Sequence, residues 1–260
     1  MTAWQESGTG PALVLLHGIS SGSASWHRQL NDPQLQRCCR ILAWDAPGYG
    51  DSAPLAAEKP TAACYAGALA RMLDAAGVGQ AVVVGHSLGA LIACAFAVRY
   101  PERVSRLVLA DPAQGYGGAP PAKQQEIIHQ RQQQLAGGLE QMAQQRAPAL
   151  LRPQADECDV ATVAKGMRRL NVAGFLQAVS LLAQGDIHHW LAEIRLPVEV
   201  WCGDRDAITP PAGAQALAYR WGVPFVTIPL AGHASYLDGA AFFNRQLLRL
   251  FTGEGDEFTD

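Results

Sequence analysis

The stretch Val82-Val83-Val84-Gly85-His86-Ser87-Leu88-Gly89-Ala90 constrains the fold of this chain more than any other. An apolar run breaks into Gly-His-Ser-Leu-Gly and resumes as Leu91-Ile92-Ala93-Cys94-Ala95, which predicts a strand, a sharp turn and a helix. A serine at such a turn is forced into a strained backbone conformation that lifts its hydroxyl clear of the sheet. Crowding there calls for glycine on either side, and Gly85 and Gly89 meet that need. An ordinary strand-to-helix turn with a serine N-cap would use the same residue types. What separates the two is an acid and a histidine further along the chain, in the order a serine nucleophile requires.

Before this stretch, Ala12–Leu16 is a continuous apolar run too short for a helix, so it reads as a buried strand ending at His17-Gly18. The small residues Ile19 to Ser23 then form a loop whose N–H groups can approach a ligand closely. Arg40–Trp44 reads as another strand, closed by Asp45-Ala46-Pro47-Gly48-Tyr49-Gly50-Asp51-Ser52. Asp45 and Asp51 sit beside Pro and Gly and are assigned to turn chemistry, their carboxylates accepting from nearby backbone N–H groups. Ala66, Leu69, Ala70, Leu73 and Ala76 recur at helical spacing, and Val104–Ala110 is a further strand. This alternation predicts a parallel sheet covered by helices on both faces, with ligands at the carboxyl ends of the strands, where His17, Ser87 and Asp111 fall. Gly8-Thr9-Gly10-Pro11 predicts a hairpin turn, since a proline follows the glycines and no helix begins there as a nucleotide loop would need.

The rhythm breaks at Asp111-Pro112. Helical, glutamine-rich segments follow at 122–134 and 138–146, with Ile127, Ile128, Leu135, Leu139 and Met142 as an interrupted apolar stripe; 170–182 is more apolar. Residues 112–190 are therefore expected to form a helical cap over strand ends belonging to a core of residues 1–111 and 191–252. The acidic segment 253–260 is expected to be disordered. The alternation resumes at Leu196–Cys202, followed by Gly203-Asp204-Arg205-Asp206, a helix over 211–221, and a last strand leading to Ala231-Gly232-His233.

With 260 residues and 49% apolar composition, the chain can bury one substantial core. A net charge of −3 offers no basic excess for phosphates or anionic lipid, so neither nucleic acid nor a membrane is expected as a partner. No apolar run is long enough to span a bilayer, and Met1–Glu6 lacks the pattern of a signal peptide, which predicts a cytoplasmic protein. Cys38-Cys39 are adjacent while Cys64, Cys94, Cys158 and Cys202 are scattered, a spacing that fits neither a zinc ribbon nor a redox pair and predicts buried free thiols. His188 and His189 would point in different directions on a helix, so no metal and no cofactor are expected.

Five motifs taken together, His17-Gly18, Asp45 to Ser52, Gly85 to Gly89, Gly203 to Asp206 and Ala231-Gly232-His233, resemble the signatures of the α/β-hydrolase superfamily in order and approximate spacing. The resemblance covers nearly all of the chain outside 112–190. It implies a mostly parallel central sheet with helices on both faces and an inserted helical cap. By the same resemblance Ser87 is the nucleophile, Asp206 the acid and His233 the base, with the backbone N–H groups of Leu88 and Ile19 as the oxyanion hole. Asp206 is preferred to Asp204 because the superfamily places the acid at the second position, and Asp111, before Pro112, is read as structural. His17 is expected to order the oxyanion loop and His86 to pack behind the serine.

A serine at position 87 separates the chain from haloalkane dehalogenases and epoxide hydrolases, which use aspartate there. Among serine members it resembles carboxylesterases and 3-oxoadipate enol-lactonases, implying a small-molecule ester or lactone substrate. Carbon–carbon hydrolases of the meta-cleavage type share the triad and often bind a substrate carboxylate, for which Arg168 or Arg169 are candidates, although an exposed helical face accounts for both. Cofactor-free haloperoxidases and perhydrolases share the triad as well. A non-catalytic ligand-binding protein on the same scaffold is the reading from a different class. Trp26, Phe175 and Trp190 are expected to line an apolar pocket.

Overall fold

In the computed structural model, which describes residues 2–252, the strands are β1 (Trp4–Ser7), β2 (Ala12–Leu16), β3 (Arg40–Trp44), β4 (Ala81–His86), β5 (Val104–Ala110), β6 (Val198–Gly203) and β7 (Phe225–Ile228). They form one sheet in the order β1-β3-β2-β4-β5-β6-β7, parallel except for β1, which runs antiparallel to β3. Every residue of β2, β4 and β6 is buried, because helices cover both faces; that is why these segments read as predominantly apolar, Glu199 being the one charged residue among them at neutral pH. Within β2 the faces alternate with period two, Val14 and Leu16 packing into one apolar cluster and Leu13 and Leu15 into the other.

The connections after β2 carry α1 (His27–Leu30) and α2 (Pro33–Cys38), then α3 (Ala62–Ala75) after β3 and α4 (Leu88–Arg99) after β4. Between β5 and β6 lie α5 (Pro121–Leu135), α6 (Gly138–Arg146), α7 (Glu157–Arg168), α8 (Val172–Gln184) and α9 (Ile187–Leu191). The β-pairing recorded within that segment is a single bridge between Gly115 and Asp186. The chain finishes with α10 (Pro211–Trp221), α11 (Ser235–Asp238) and α12 (Ala240–Thr252). The helices α3 and α4 pack on one face of the sheet and α2 and α12 on the other, while α8 packs against α5 and α4. None of the helices described is long and apolar enough to cross a membrane.

Two expectations require correction. Gly8 to Pro11 is not a hairpin turn, because β1 pairs with β3 rather than β2; the segment steps over β3 to reach the middle of the sheet. All six cysteines are free, but Cys64 and Cys158 are exposed and Cys38 is half-buried, leaving Cys39, Cys94 and Cys202 as the buried thiols. An apolar neighbourhood in the chain does not decide which side of an amphipathic helix a residue occupies. Residues 253–260, expected to be disordered, lie outside the described residues.

Candidate active site

Ser87 stands between β4 and α4 with φ 54° and ψ −116°, a conformation that a side chain rarely adopts. Its N–H donates to Ala110 O at 2.9 Å, and its carbonyl accepts from Ala90 N at 3.0 Å, so neighbouring backbone holds the strained residue in place. The flanking glycines are needed for space. A Cβ on Gly85 would collide with the Gly89 carbonyl, and one on Gly89 with the carbonyl oxygens of Leu16 and His17. The tight turn therefore packs against the end of β2 and presents the hydroxyl beyond the sheet.

The loops after β6 and β7 bring two more side chains to that point. His233 Nε2 lies 2.9 Å from Ser87 Oγ, and His233 Nδ1 lies 2.9 Å from Asp206 Oδ2. All three residues are buried. Asp206 Oδ1 accepts from the N–H groups of Ile208 (2.7 Å) and Thr209 (2.9 Å), and Oδ2 also accepts from the Thr209 hydroxyl at 2.7 Å. Burial alone would raise the Asp206 carboxyl, but the hydrogen bonds and charge of His233 with those from Thr209 outweigh it and hold the group below its ordinary value. An ionised Asp206 requires the proton of the imidazole on Nδ1, which leaves the Nε2 lone pair facing the serine hydroxyl.

Ile19 and Leu88 both line the cavity beside Ser87. Among the described residues neither donates its backbone N–H to another backbone group; Leu88 opens a helix, where N–H groups have no intrahelical partner. His17 fixes this loop. Its Nε2 accepts from Ala46 N at 3.0 Å, so the proton sits on Nδ1 and is donated to Gly18 O at 2.8 Å. Burial holds His17 below the usual histidine value and keeps it neutral. Tyr49 reinforces the loop by donating its hydroxyl to Ile19 O at 2.8 Å.

Asp204 is exposed and accepts from Ala231 N at 3.2 Å, so it is Asp206 that the structure brings to His233. Asp111 is fully buried at the end of β5, its Oδ1 accepting from Gly203 N at 2.8 Å and its Oδ2 bonded to the Ser235 hydroxyl. Burial and the adjacent Asp206 charge push Asp111 well above the ordinary carboxylate range. Asp111, Cys202 and Asp206 offer ligand atoms within 4.8 Å of one another, yet the carboxylate oxygens already accept N–H and O–H donors and burial pushes the thiol up. That donor set suits a hydrogen-bonded scaffold better than a metal. Asp45 accepts from Ser23 N at 2.8 Å, so its carboxylate ties the loop after β3 to the loop after β2 instead of bonding within its own turn. His188 bonds Gln114 and Trp221, while His189 is exposed near Glu193, so the two do not converge.

A cavity of about 700 Å³ opens above Ser87, walled on one side by the loops after β2 and β3 and on the other by residues of α5 to α8. The three aromatic candidates do not line it. Trp26 is fully buried beneath the site, 4.3 Å from the Tyr236 ring and 6.2 Å from Phe243. Phe175, on α8, is buried in the larger apolar cluster. Trp190 borders a separate hollow with Thr61 and Arg99. Large apolar side chains were drawn into the core instead, which is where their burial contributes most. Arg168 pairs with Glu140 at 2.6 Å on the surface, whereas Arg169 does line the cavity.

Tyr116, Arg131 and Arg146 also line the cavity, and none was anticipated. A signal was present for the arginines. Arg131 follows Ile127 by four and Ile128 by three, and Arg146 follows Met142 by four, so both sit on the inward stripes of their helices.

A sequence model of the α/β hydrolase fold family matches residues 11–240. The chain is 28% identical over 245 residues to the RutD protein of Shigella flexneri, whose proposed activity is carbamate hydrolysis, covering 92% of this chain and 90% of that one. It is 41% identical over 110 residues to the 2-hydroxy-6-oxononadienedioate/2-hydroxy-6-oxononatrienedioate hydrolase of Burkholderia vietnamiensis, a match spanning 41% of this chain and 38% of the relative. Among solved structures, a hydrolase from Pseudomonas aeruginosa PA01 superposes with a TM-score of 0.83 at 27% identity, covering 96% of this chain and 94% of that one. An esterase from Thermogutta terrifontis gives 0.80 at 25% identity, covering 96% and 92%. The fold, the order of the motifs and the family match agree: the chain belongs to the α/β hydrolase fold family.

Proposed function

We propose that this protein is a serine hydrolase that cleaves small carboxylic esters or lactones through an acyl-enzyme on Ser87. The observation that carries this reading is the continuous chain from Ser87 Oγ through both nitrogens of His233 to Asp206, at 2.9 Å on each side of the imidazole. In the first half, Ser87 Oγ bonds to the substrate carbonyl carbon while His233 Nε2 takes the hydroxyl proton. The Ile19 and Leu88 N–H groups stabilise the oxyanion. The carbon–oxygen bond to the leaving group then breaks, and His233 delivers its proton to that oxygen. Water repeats the sequence on the acyl-enzyme and releases the acid. Asp206 holds the imidazole tautomer and stabilises its charged form. No step needs a cofactor, and the reading places the activity on a small molecule in the cytoplasm.

The test is turnover of p-nitrophenyl esters from acetate to octanoate by wild type and Ser87→Ala. Activity lost in the variant supports the reading, and the chain-length optimum sizes the cavity. Folded wild type without turnover or a burst of nitrophenol contradicts it. A second reading, carbon–carbon bond hydrolysis, is favoured by the 41% identity to the Burkholderia vietnamiensis enzyme. It predicts instead cleavage of a vinylogous diketo acid with no ester turnover.

A further inference from the structure

The two walls of the cavity differ in charge. The wall contributed by α5 to α7 and the turn after α7 carries Arg131, Arg146, Lys165 and Arg169 and no acid, whereas the opposite wall carries Asp45 and Asp51. Asp45 is already engaged by Ser23 N.

Arg131 and Arg146 differ from the other arginines that the structure buries in part. Arg28 pairs with Asp159 and Arg152 with Asp238, each guanidinium facing a carboxylate. Among the described residues Arg131 and Arg146 have no carboxylate partner. Arg131 donates to the neutral Gln134 Oε1 at 3.2 Å, and Arg146 has a buried Nε with no hydrogen-bond partner. Burial, with the neighbouring Arg146 charge, holds Arg131 below the usual guanidinium value, and burial does the same to Arg146. Two like charges in a partly desolvated wall, with donors to spare, oppose folding unless an anion completes them. Solvated arginines would have their guanidinium groups outward, yet helical spacing puts both on the inward stripe.

We propose that the substrate carries a carboxylate, which Arg131 and Arg146 hold from the helical wall while Ser87 attacks its ester or lactone carbonyl. The proposal rests on the serine-hydrolase reading for the second half of that sentence. The planar guanidinium fork matches a carboxylate, and two forks from different helices would fix both the position and the orientation of a small substrate. The interaction is made with a group other than the reacting carbonyl and so is expected mainly in KM.

The experiment compares matched esters. Monoethyl adipate against ethyl hexanoate places the carboxylate on the acyl side; para-acetoxybenzoate against para-tolyl acetate places it on the leaving side. We expect wild type to prefer the anionic member of one pair by about tenfold or more in kcat/KM. Arg131→Gln and Arg146→Gln each reduce that preference about tenfold, Arg131→Lys retains part of it, and the exposed Lys59→Gln leaves the preference unchanged. Calorimetric titration of adipate into Ser87→Ala protein gives a readout without turnover: saturable binding is expected, weakened about tenfold by either Gln substitution. Ser87-dependent turnover of neutral esters with no anionic preference and no adipate binding overturns the carboxylate site and leaves the hydrolase reading standing. Arginine-dependent adipate binding with no ester turnover does the reverse. Adipate binding unaltered by the Gln substitutions, or inorganic phosphate binding tighter than adipate, also overturns the assignment.

Discussion

His86 Nε2 donates to the main-chain carbonyl of His233 at 2.7 Å, so the residue before Ser87 clamps the backbone of the histidine that faces that serine. The ring packs at 4.9 Å from His233 and 4.9 Å from Tyr236. Its Nδ1 is buried with no partner, and burial, with the nearby His233 charge, pushes the group down to about 3. Burial thus holds His86 in its neutral form at neutral pH.

That neutrality predicts acid sensitivity. The unfolded chain protonates His86 near pH 6.5 but the folded one does so only near 3, so its contribution is fully present above pH 6.5 and is lost as pH falls toward 3. His17 is shifted in the same direction by burial. Thermal unfolding between pH 7 and pH 4 should show stability falling with acid, by up to about 1.4 kcal/mol per pH unit for each proton taken up. His86→Gln should flatten that slope while lowering kcat/KM.

The two buried carboxyl groups beside the site should respond differently to amidation. Asp206→Asn removes the charge that holds the His233 tautomer and is expected to lower kcat about 10⁴-fold. Asp111 is held toward its neutral form, and asparagine tolerates its positive φ of 45°. Asp111→Asn is expected to change kcat by less than about tenfold, a contrast read from kinetics of the two variants side by side.

Gly89→Ala should be a severely damaging one-carbon change. The added Cβ meets the backbone oxygens of β2, which cannot move aside without shifting the sheet. A destabilisation of about 2 kcal/mol or more is expected in urea unfolding, with loss of activity in whatever folds.

Much of this arrangement was legible from sequence for a definite reason. The strands β2, β4 and β6 are buried throughout and β3 and β5 over most of their length, so apolar residues dominate each of them, and turn residues mark where each ends. The serine turn was legible because its glycines answer a steric demand. The position of β1 was not, since four residues, two half-buried and two exposed, carry no periodic signal about which strand they join. Nor was the cavity wall. Apolar spacing reports that a residue faces inward, but not whether it meets core or open space, so Trp26 and Phe175 were assigned to a pocket and proved to be core. Arg131 and Arg146 were not singled out from the glutamine-rich helices that carry them, although both follow apolar positions at helical spacing.

The central claim is that Ser87 becomes acylated by the substrate with His233 as its base. The most direct measurement is rapid-quench mass spectrometry of wild type mixed with p-nitrophenyl acetate, with peptide mapping of the labelled residue. The account predicts a single acetyl group on Ser87, absent in Ser87→Ala and formed far more slowly in His233→Ala. Acetylation at another residue, or a nitrophenol burst that survives Ser87→Ala, would contradict it.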